Sequence, residues 1–391
     1  MQEGMLKMKI YMDHAATTPV RKEAMEAMRP FFSHKFGNAS SLHSFGSEAR
    51  DELEKSRRRI AKIINADSKE IIFTSGGTES DNLAIKGVAL ENIGKGNHII
   101  TTKIEHDAVL NSCRHLEKNG FRVTYLSVDS RGLVNLLELK KAISEKTILV
   151  SIMHANNEIG TLQNIEEIGK ICSQKGIPFH TDAVQTFCKE KIDVKNMGIS
   201  LLSASSHKIC GPKGVGFLYV KRGTRIRPML SGGGHEFGFR AGTENVPGIV
   251  GFAKAAELAE KEMEKEDARL KKMRDRMIKE LSKIKDSRLN GSQDRRLANN
   301  INMSFRAVEG ESLILALDQR GIAASTGSAC SSRSLEPSHV LLAIGLKPID
   351  AHGSMRLTLG KSNSEKDVRC ALKVIPEVIE SLRKFSPKFV E

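Results

Sequence analysis

TILVSIMHANNEIGTLQNIEEIGKICSQKGIPFHTD, residues 147–182, sets two short apolar runs, TILVSIM and IPFHTD, around a segment whose apolar residues recur three and four apart. The runs read as buried strands, and NIEEIGKICSQKG between them reads as a helix closed by a Lys-Gly stop. Strands joined through a helix pair in parallel, because a parallel crossover needs about a dozen residues or more.

The same alternation extends in both directions. EIIFTS, NHIITTKI and FRVTYLSV precede this stretch, LLSASS and VGFLYV follow it, and helical patterns such as ESDNLAIKGVALENI and DAVLNSCRHLEKNG lie between. The expected fold is α/β, with a mainly parallel seven-stranded sheet covered by helices on both faces. Ligands of such sheets bind beyond the carboxyl ends of the strands. A long charged helical stretch at about residues 250–284 then leads to shorter strands, NNINMSF and SMRLTLG, with further helices. The expected organisation is a large domain over 18–262 and a smaller α+β domain formed by 1–17 and 263–391.

The chain has 391 residues, 39% hydrophobic and 28% charged, the composition of a soluble globular protein. The N-terminal MQEGMLKMKIYMDH lacks the uninterrupted apolar segment of a signal peptide, and no stretch approaches the roughly 20 apolar residues that span a bilayer. A cytoplasmic protein without membrane contact is expected. The net charge of +14 raises the question of nucleic acid, but basic residues are interleaved with acids, as in EKEMEKEDARLKKMRDRMIKELSKI. That pattern reads as a solvated surface, so nucleic-acid binding is not expected. The cysteines Cys113, Cys172, Cys188, Cys210, Cys330 and Cys370 stand singly, without the C-x-x-C spacing of a zinc site, and read as reduced thiols.

Polar residues of particular kinds follow four of the strands. Gly76-Gly77-Thr78-Glu79 opens a helix whose N-terminus offers free N–H groups to a phosphate. Asp182 ends IPFHTD, His106 follows NHIITTKI, and Asn156 and Asn157 follow TILVSIM. Singly, each is also what a turn or helix cap requires. Lys208, in SASSHKICGPKG, joins them: a lysine becomes a nucleophile when desolvation or nearby positive charge favours its neutral amine. An aldehyde-capturing lysine, a phosphate cup and a carboxylate for a pyridine nitrogen are together what pyridoxal 5'-phosphate requires.

From YMDHAATTP through SGGTESDN, EHDAVL, HANNEIG, HTDAVQ, SSHKICGPKG, GGGHEFGFRAGTEN and STGSACSSRSLEPSHVL to SMRLTLG, the sequence resembles the NifS/IscS-like cysteine desulfurases, class V aminotransferase-like enzymes of fold type I. The resemblance implies that Lys208 binds the cofactor covalently, that Asp182 pairs with its ring nitrogen and Gln185 with its ring hydroxyl, and that His106 stacks on the ring and moves protons. It implies that Gly77, Thr78, Ser205 and His207 hold the phosphate, with Thr243 reaching it from the second subunit of a homodimer. Asn157 would contact the ring oxygen or the substrate carboxylate, and Arg356 would clamp that carboxylate, to which its planar fork is suited. The family pattern has proline where this chain has Ala39, in FGNASSLHSFG, with no chemical role attached.

Cys330 lies among serines, threonine and glycine in AASTGSACSSRSLEPSHV, where no apolar periodicity offers it a core. This composition predicts a mobile loop, and a thiol on such a loop can visit a bound substrate and carry sulfur outward. The implied reaction converts L-cysteine to L-alanine and leaves the sulfur on Cys330 as a persulfide. The implied recipients are an iron-sulfur scaffold of the IscU/NifU type or a tRNA-thiolation acceptor, with Cys330 also considered as a transient cluster ligand. Competing readings are a selenocysteine lyase or cystine/cysteine C–S lyase of the same fold, and a binding protein that retains the fold without chemistry.

Overall fold

The computed structural model describes residues 9–327 and 337–384. Strand β1 (Ile10–Tyr11) precedes the strands of the large sheet, which are β2 (Ile71–Thr74), β3 (His98–Thr102), β4 (Arg122–Leu126), β5 (Thr147–Ser151), β6 (Phe179–Asp182), β7 (Leu201–Ser205) and β8 (Gly216–Val220). Their order is β2-β8-β7-β6-β5-β3-β4. The strands from β7 to β4 run parallel, while β8 is antiparallel to both of its neighbours. The expected seven-stranded, mainly parallel sheet is therefore present, with one strand reversed. The reversal follows from the short link between β7 and β8, which cannot make a parallel crossover.

Helices cover both faces, so successive residues of one strand enter different cores. Ile100, Leu202 and Phe217 face a core with Phe187 and Phe252, whereas Ile99, Leu201 and Leu218 face one with Leu83 and Val109. This explains the apolar Ile148-Leu149-Val150 run at the centre of TILVS: all five residues of β5 are buried. The edge strand β4 instead begins with exposed Arg122, and a charge at an edge discourages pairing with another chain.

Beyond the large sheet come β9 (Ser287–Leu289), β10 (Asn300–Phe305), β11 (Ile322–Ala323) and β12 (Ser354–Thr358). β12-β10-β9 form an antiparallel sheet, and β1 pairs in parallel with β11. Their core contains Met303, Phe305, Met355, Leu357, Val368 and Ile375. The helix Val246–Leu281 spans both regions: its first turns bury Ile249, Phe252 and Ala256 against the large sheet, and its end buries Met273, Met277 and Leu281 in the smaller core. The charged sequence between is its solvated middle. The segment from β1 to Thr18 also crosses between the regions, with Asp13 bridging to Thr358 and the Thr18 hydroxyl donating to the His207 carbonyl at 2.7 Å.

A buried ion pair fastens the glycine-rich loop of GGGHEFGFRAGTEN to β2. Arg57 donates to Glu236 through Nη1 at 2.6 Å and Nη2 at 2.9 Å, and the same carboxylate accepts the Phe73 N–H at 2.7 Å. The guanidinium lies between the rings of Phe73 and Phe237. Glu236 and Phe237 have φ of 48° and 59°, a conformation non-glycine residues rarely adopt, so these contacts hold the loop in place. Glu236→Gln should destabilise the protein by about 3–5 kcal/mol, because it leaves a buried guanidinium without its counter-charge. Urea unfolding measures this; a loss below about 1 kcal/mol would contradict it.

Candidate active site

A cavity of about 230 Å³ opens beyond the carboxyl ends of the parallel strands. Its wall includes Gly77, Thr78, His106, Asn157, Asp182, Gln185, Ser205, His207, Lys208 and Arg356, contributed by β2, β3, β5, β6, β7 and β12 or the turns that leave them. Residues up to 279 positions apart in sequence thus meet at one edge of the sheet, as the expected fold requires.

The turn that leaves β2 is a local consequence of glycine. Gly76 precedes the helix Gly77–Glu91 with φ 153° and offers no side-chain cap, leaving the helix N-terminal N–H groups open to a ligand. At Gly77 a Cβ would lie 2.7 Å from Val184 Cγ2, so no larger residue fits between this turn and the end of β6. His207 bonds to Thr17 Oγ1 through Nδ1 at 3.1 Å. Burial, then the charge of Lys208, lowers its pKa to about 4, so it is a neutral imidazole at neutral pH.

Lys208 is held by the chain's N-terminal crossing. Its Nζ donates to the carbonyls of Ala15 at 2.5 Å and Ala16 at 2.8 Å. Burial, Lys189 and Arg356 lower its pKa to about 8, against the opposing pull of Asp182 and Asp13. A substantial neutral fraction exists near physiological pH, which is the condition for nucleophilic attack on an aldehyde. Asp182 accepts the Val184 N–H at 2.8 Å; burial raises its pKa, opposed in part by His106, that N–H and Lys208. His106 caps the helix Asp107–Glu117 by accepting the Ala108 N–H at 3.1 Å, so its ring is fixed at the cavity wall.

Arg356 is buried, donating to Asp13 at 2.9 Å and to the Asn157 carbonyl at 3.0 Å, while its Nε has no partner. Arg356 lines the cavity wall, where a guanidinium is suited to a carboxylate ligand. Asn156, singled out with Asn157, serves the loop instead: it donates to the Ile104 carbonyl and accepts from the N–H groups of Glu158 and Ile159.

Two residues fall apart from this set. Thr243 is exposed and does not line the cavity. Cys330, read as the sulfur acceptor and as a transient cluster ligand, lies outside the described residues. The residues on either side of that segment are anchored close to the cavity: Ser325 bridges to Arg356, and Ser338 donates to Glu158, next to Asn157, at 2.5 Å.

Asp81 was not singled out from the sequence, yet it lines the cavity and is buried, with Oδ1 3.6 Å from His180 Nε2 and no hydrogen bond to that oxygen. Burial and the charge of Asp182 raise its pKa strongly, while burial raises that of Asp182 as well, so Asp81 is the member of the pair that most favours a proton. Its spacing from Thr78, one turn along the helix, was the available signal. Asp13, the counter-charge of Arg356, was hidden because the two are 343 residues apart.

Residues 10–370 match the family model of the class-V aminotransferases. The chain is 56% identical over 384 residues to cysteine desulfurase IscS of Dictyoglomus turgidum, covering 98% of this chain and 97% of that one. Its fold superposes with a TM-score of 0.90 on a NifS-like protein of 40% identity, over 96% of this chain and 100% of the other. A structure described as SspA in complex with cysteine, also 40% identical, aligns with a TM-score of 0.80 over 90% of this chain and 98% of that one. The chain belongs to the class-V aminotransferase family and, within it, to the NifS/IscS-like cysteine desulfurases. Among the described residues no helix is long and apolar enough to cross a membrane.

Proposed function

We propose that this cysteine desulfurase holds pyridoxal 5'-phosphate on Lys208 and passes the sulfur of L-cysteine to Cys330 as a persulfide, releasing L-alanine. The observation that carries the reading is the cavity itself: a neutralisable lysine, an aspartate, an open helix N-terminus and an arginine share one wall. These residues fit the cofactor. Lys208 would bind its aldehyde carbon, Asp182 its ring nitrogen and Gln185 its ring hydroxyl. Gly77, Thr78, Ser205 and His207 would hold the phosphate, and His106 would lie against the ring.

When bound, the cofactor supplies an electron sink for the pair left on the substrate Cα after proton removal. The chain's own residues do the rest. Arg356 and Asn157 hold the substrate carboxylate. Lys208 takes the Cα proton, and Lys208 and His106 govern protons at Cα and Cβ. The Cys330 thiolate attacks the substrate sulfur, so an Sγ–S bond forms as the Cβ–S bond breaks. The proton of the substrate thiol ends on Cβ, and the products are alanine and a persulfide, with no external oxidant or reductant consumed.

The exposure of Thr243 supports its serving a second copy of the chain, which makes a homodimer part of the proposal. The two cores support a large domain over 18–262 and a small domain from the remainder, meeting within the helix Val246–Leu281. The sulfur would go to an IscU/NifU-type scaffold or a tRNA-thiolation acceptor in the cytoplasm.

Cofactor-loaded protein given L-cysteine and a thiol reductant tests the reaction, with alanine, pyruvate and sulfide measured together. Alanine equal to sulfide, with little pyruvate, is expected; pyruvate with sulfide would mean β-elimination. Arg356→Lys should raise KM for L-cysteine roughly tenfold to a hundredfold, because a charge-assisted pair contributes about 1.5–3 kcal/mol. Steady-state alanine assays measure it, and an unchanged KM would remove Arg356 from the substrate site.

A further inference from the structure

Behind the candidate active site lies a second cavity, of about 120 Å³, lined in part by His14, Cys188, Lys189, Lys208, Cys210 and Glu262. Lys208 lines both cavities and so stands in the wall between them. Lys189 faces it from the rear cavity. Part of the Lys189 stem is exposed, but Nζ is sealed from solvent and has no hydrogen-bond partner. An ammonium so placed is costly, and buried cations are ordinarily paired.

Of the acids lining the rear cavity, Asp267 is not among the groups whose charge acts on Lys189, and the others are engaged elsewhere or poorly charged. Glu262 pairs with Arg21 at 2.9 Å and Lys361 at 2.8 Å, and Glu266 with Arg269 at 2.7 Å. Burial and Asp267 raise the pKa of Glu190 to about 7, so it is only partly ionised at neutral pH. The remaining neighbours are the thiols of Cys188 and Cys210 and the ring of His14, whose nitrogens are buried without partners. Burial lowers the pKa of Lys189 to about 8, so at neutral pH it is still mostly protonated, and each of the two lysines disfavours the charge of the other.

We propose that Lys189 is a positioning residue for the reaction: from the rear cavity, its charge keeps the Lys208 amine in the neutral form that captures the cofactor aldehyde. Two lysines sharing one buried region cannot both stay protonated without cost, and the amine that must react gains from the second cation. Other groups facing Lys208 are Arg356, which acts in the same sense, and Asp182 and Asp13, which oppose it. Lys189 is the second cause of the lowered Lys208 pKa, after burial. The inference rests on Lys208 being the cofactor lysine.

The test is a pH titration of the absorbance of the lysine-bound cofactor in the holoenzyme, for the unsubstituted protein, Lys189→Met, Lys189→Gln and Lys189→Arg, with thermal melts of each. Removing the charge in Lys189→Met or Lys189→Gln should raise the apparent pKa of the lysine–cofactor linkage by about one unit, a tenfold change in its neutral fraction below the pKa. The melting temperature should stay level or rise, because an unpaired buried charge has been removed. Lys189→Arg should titrate near the unsubstituted protein. A titration unmoved in both Met and Gln variants would overturn the proposal. Absence of any lysine-bound absorbance in the unsubstituted protein would instead overturn the reading of Lys208, and this inference with it.

Discussion

Lys208→Ala should reduce alanine formation from L-cysteine by roughly 10³-fold or more, since general acid–base action alone commonly supplies about 10²–10⁴. The variant loses both the amine that anchors the cofactor and the base that takes the Cα proton. Among the described residues no other lysine reaches the cavity wall, and Lys189 lies behind it. Cofactor should still enter, held by Asp182, the Gly77–Thr78 turn and His207, but it should leave on dialysis because no covalent bond retains it. Alanine assays and absorbance after dialysis measure both effects. Turnover at the normal rate would refute the assignment of Lys208.

Cys330→Ser should bind cofactor normally and yet form no persulfide, because a hydroxyl does not accept sulfur from the substrate as a thiolate does. The other cysteines offer poor substitutes. Cys113, Cys172 and Cys188 are buried, and burial pushes the thiols of Cys113 and Cys172 up to about 12. Such groups are protonated and inert at neutral pH. Cys210 and Cys370 are half-buried, and only Cys210 lines a cavity near Lys208. Persulfide recovered on Cys210 in the variant would reassign the acceptor; labelling confined to Cys330 in the unsubstituted protein is the expected result.

The fold was legible where periodicity and burial coincide. TILVS and LLSAS are buried throughout and mostly apolar because both faces of their sheet are covered, and the helix Ile165–Gln174 between them carries one apolar stripe. The reversal of β8 was not anticipated, although the ten residues joining it to β7 are too few for a parallel crossover. The candidate site was legible where residues leave strand ends, since fold topology alone gathers Gly77, His106, Asn157, Asp182 and Lys208 at one edge. Groups that act through space were not. Asp13 reaches Arg356 from the other end of the chain, and Lys189 in TFCKEK has the local sequence of an ordinary surface lysine. Its sealed nitrogen is a product of packing between the large sheet, the segment after β1 and the helix Val246–Leu281, which no window of sequence contains.

The most direct measurement is a single turnover of cofactor-loaded protein with one equivalent of L-cysteine and no added reductant, followed by peptide mass spectrometry and alanine quantification. One sulfur gained on the Cys330 peptide for each alanine formed is the predicted result. Alanine without sulfur on Cys330, or sulfur on Cys330 without alanine, would contradict direct transfer from L-cysteine to that thiol.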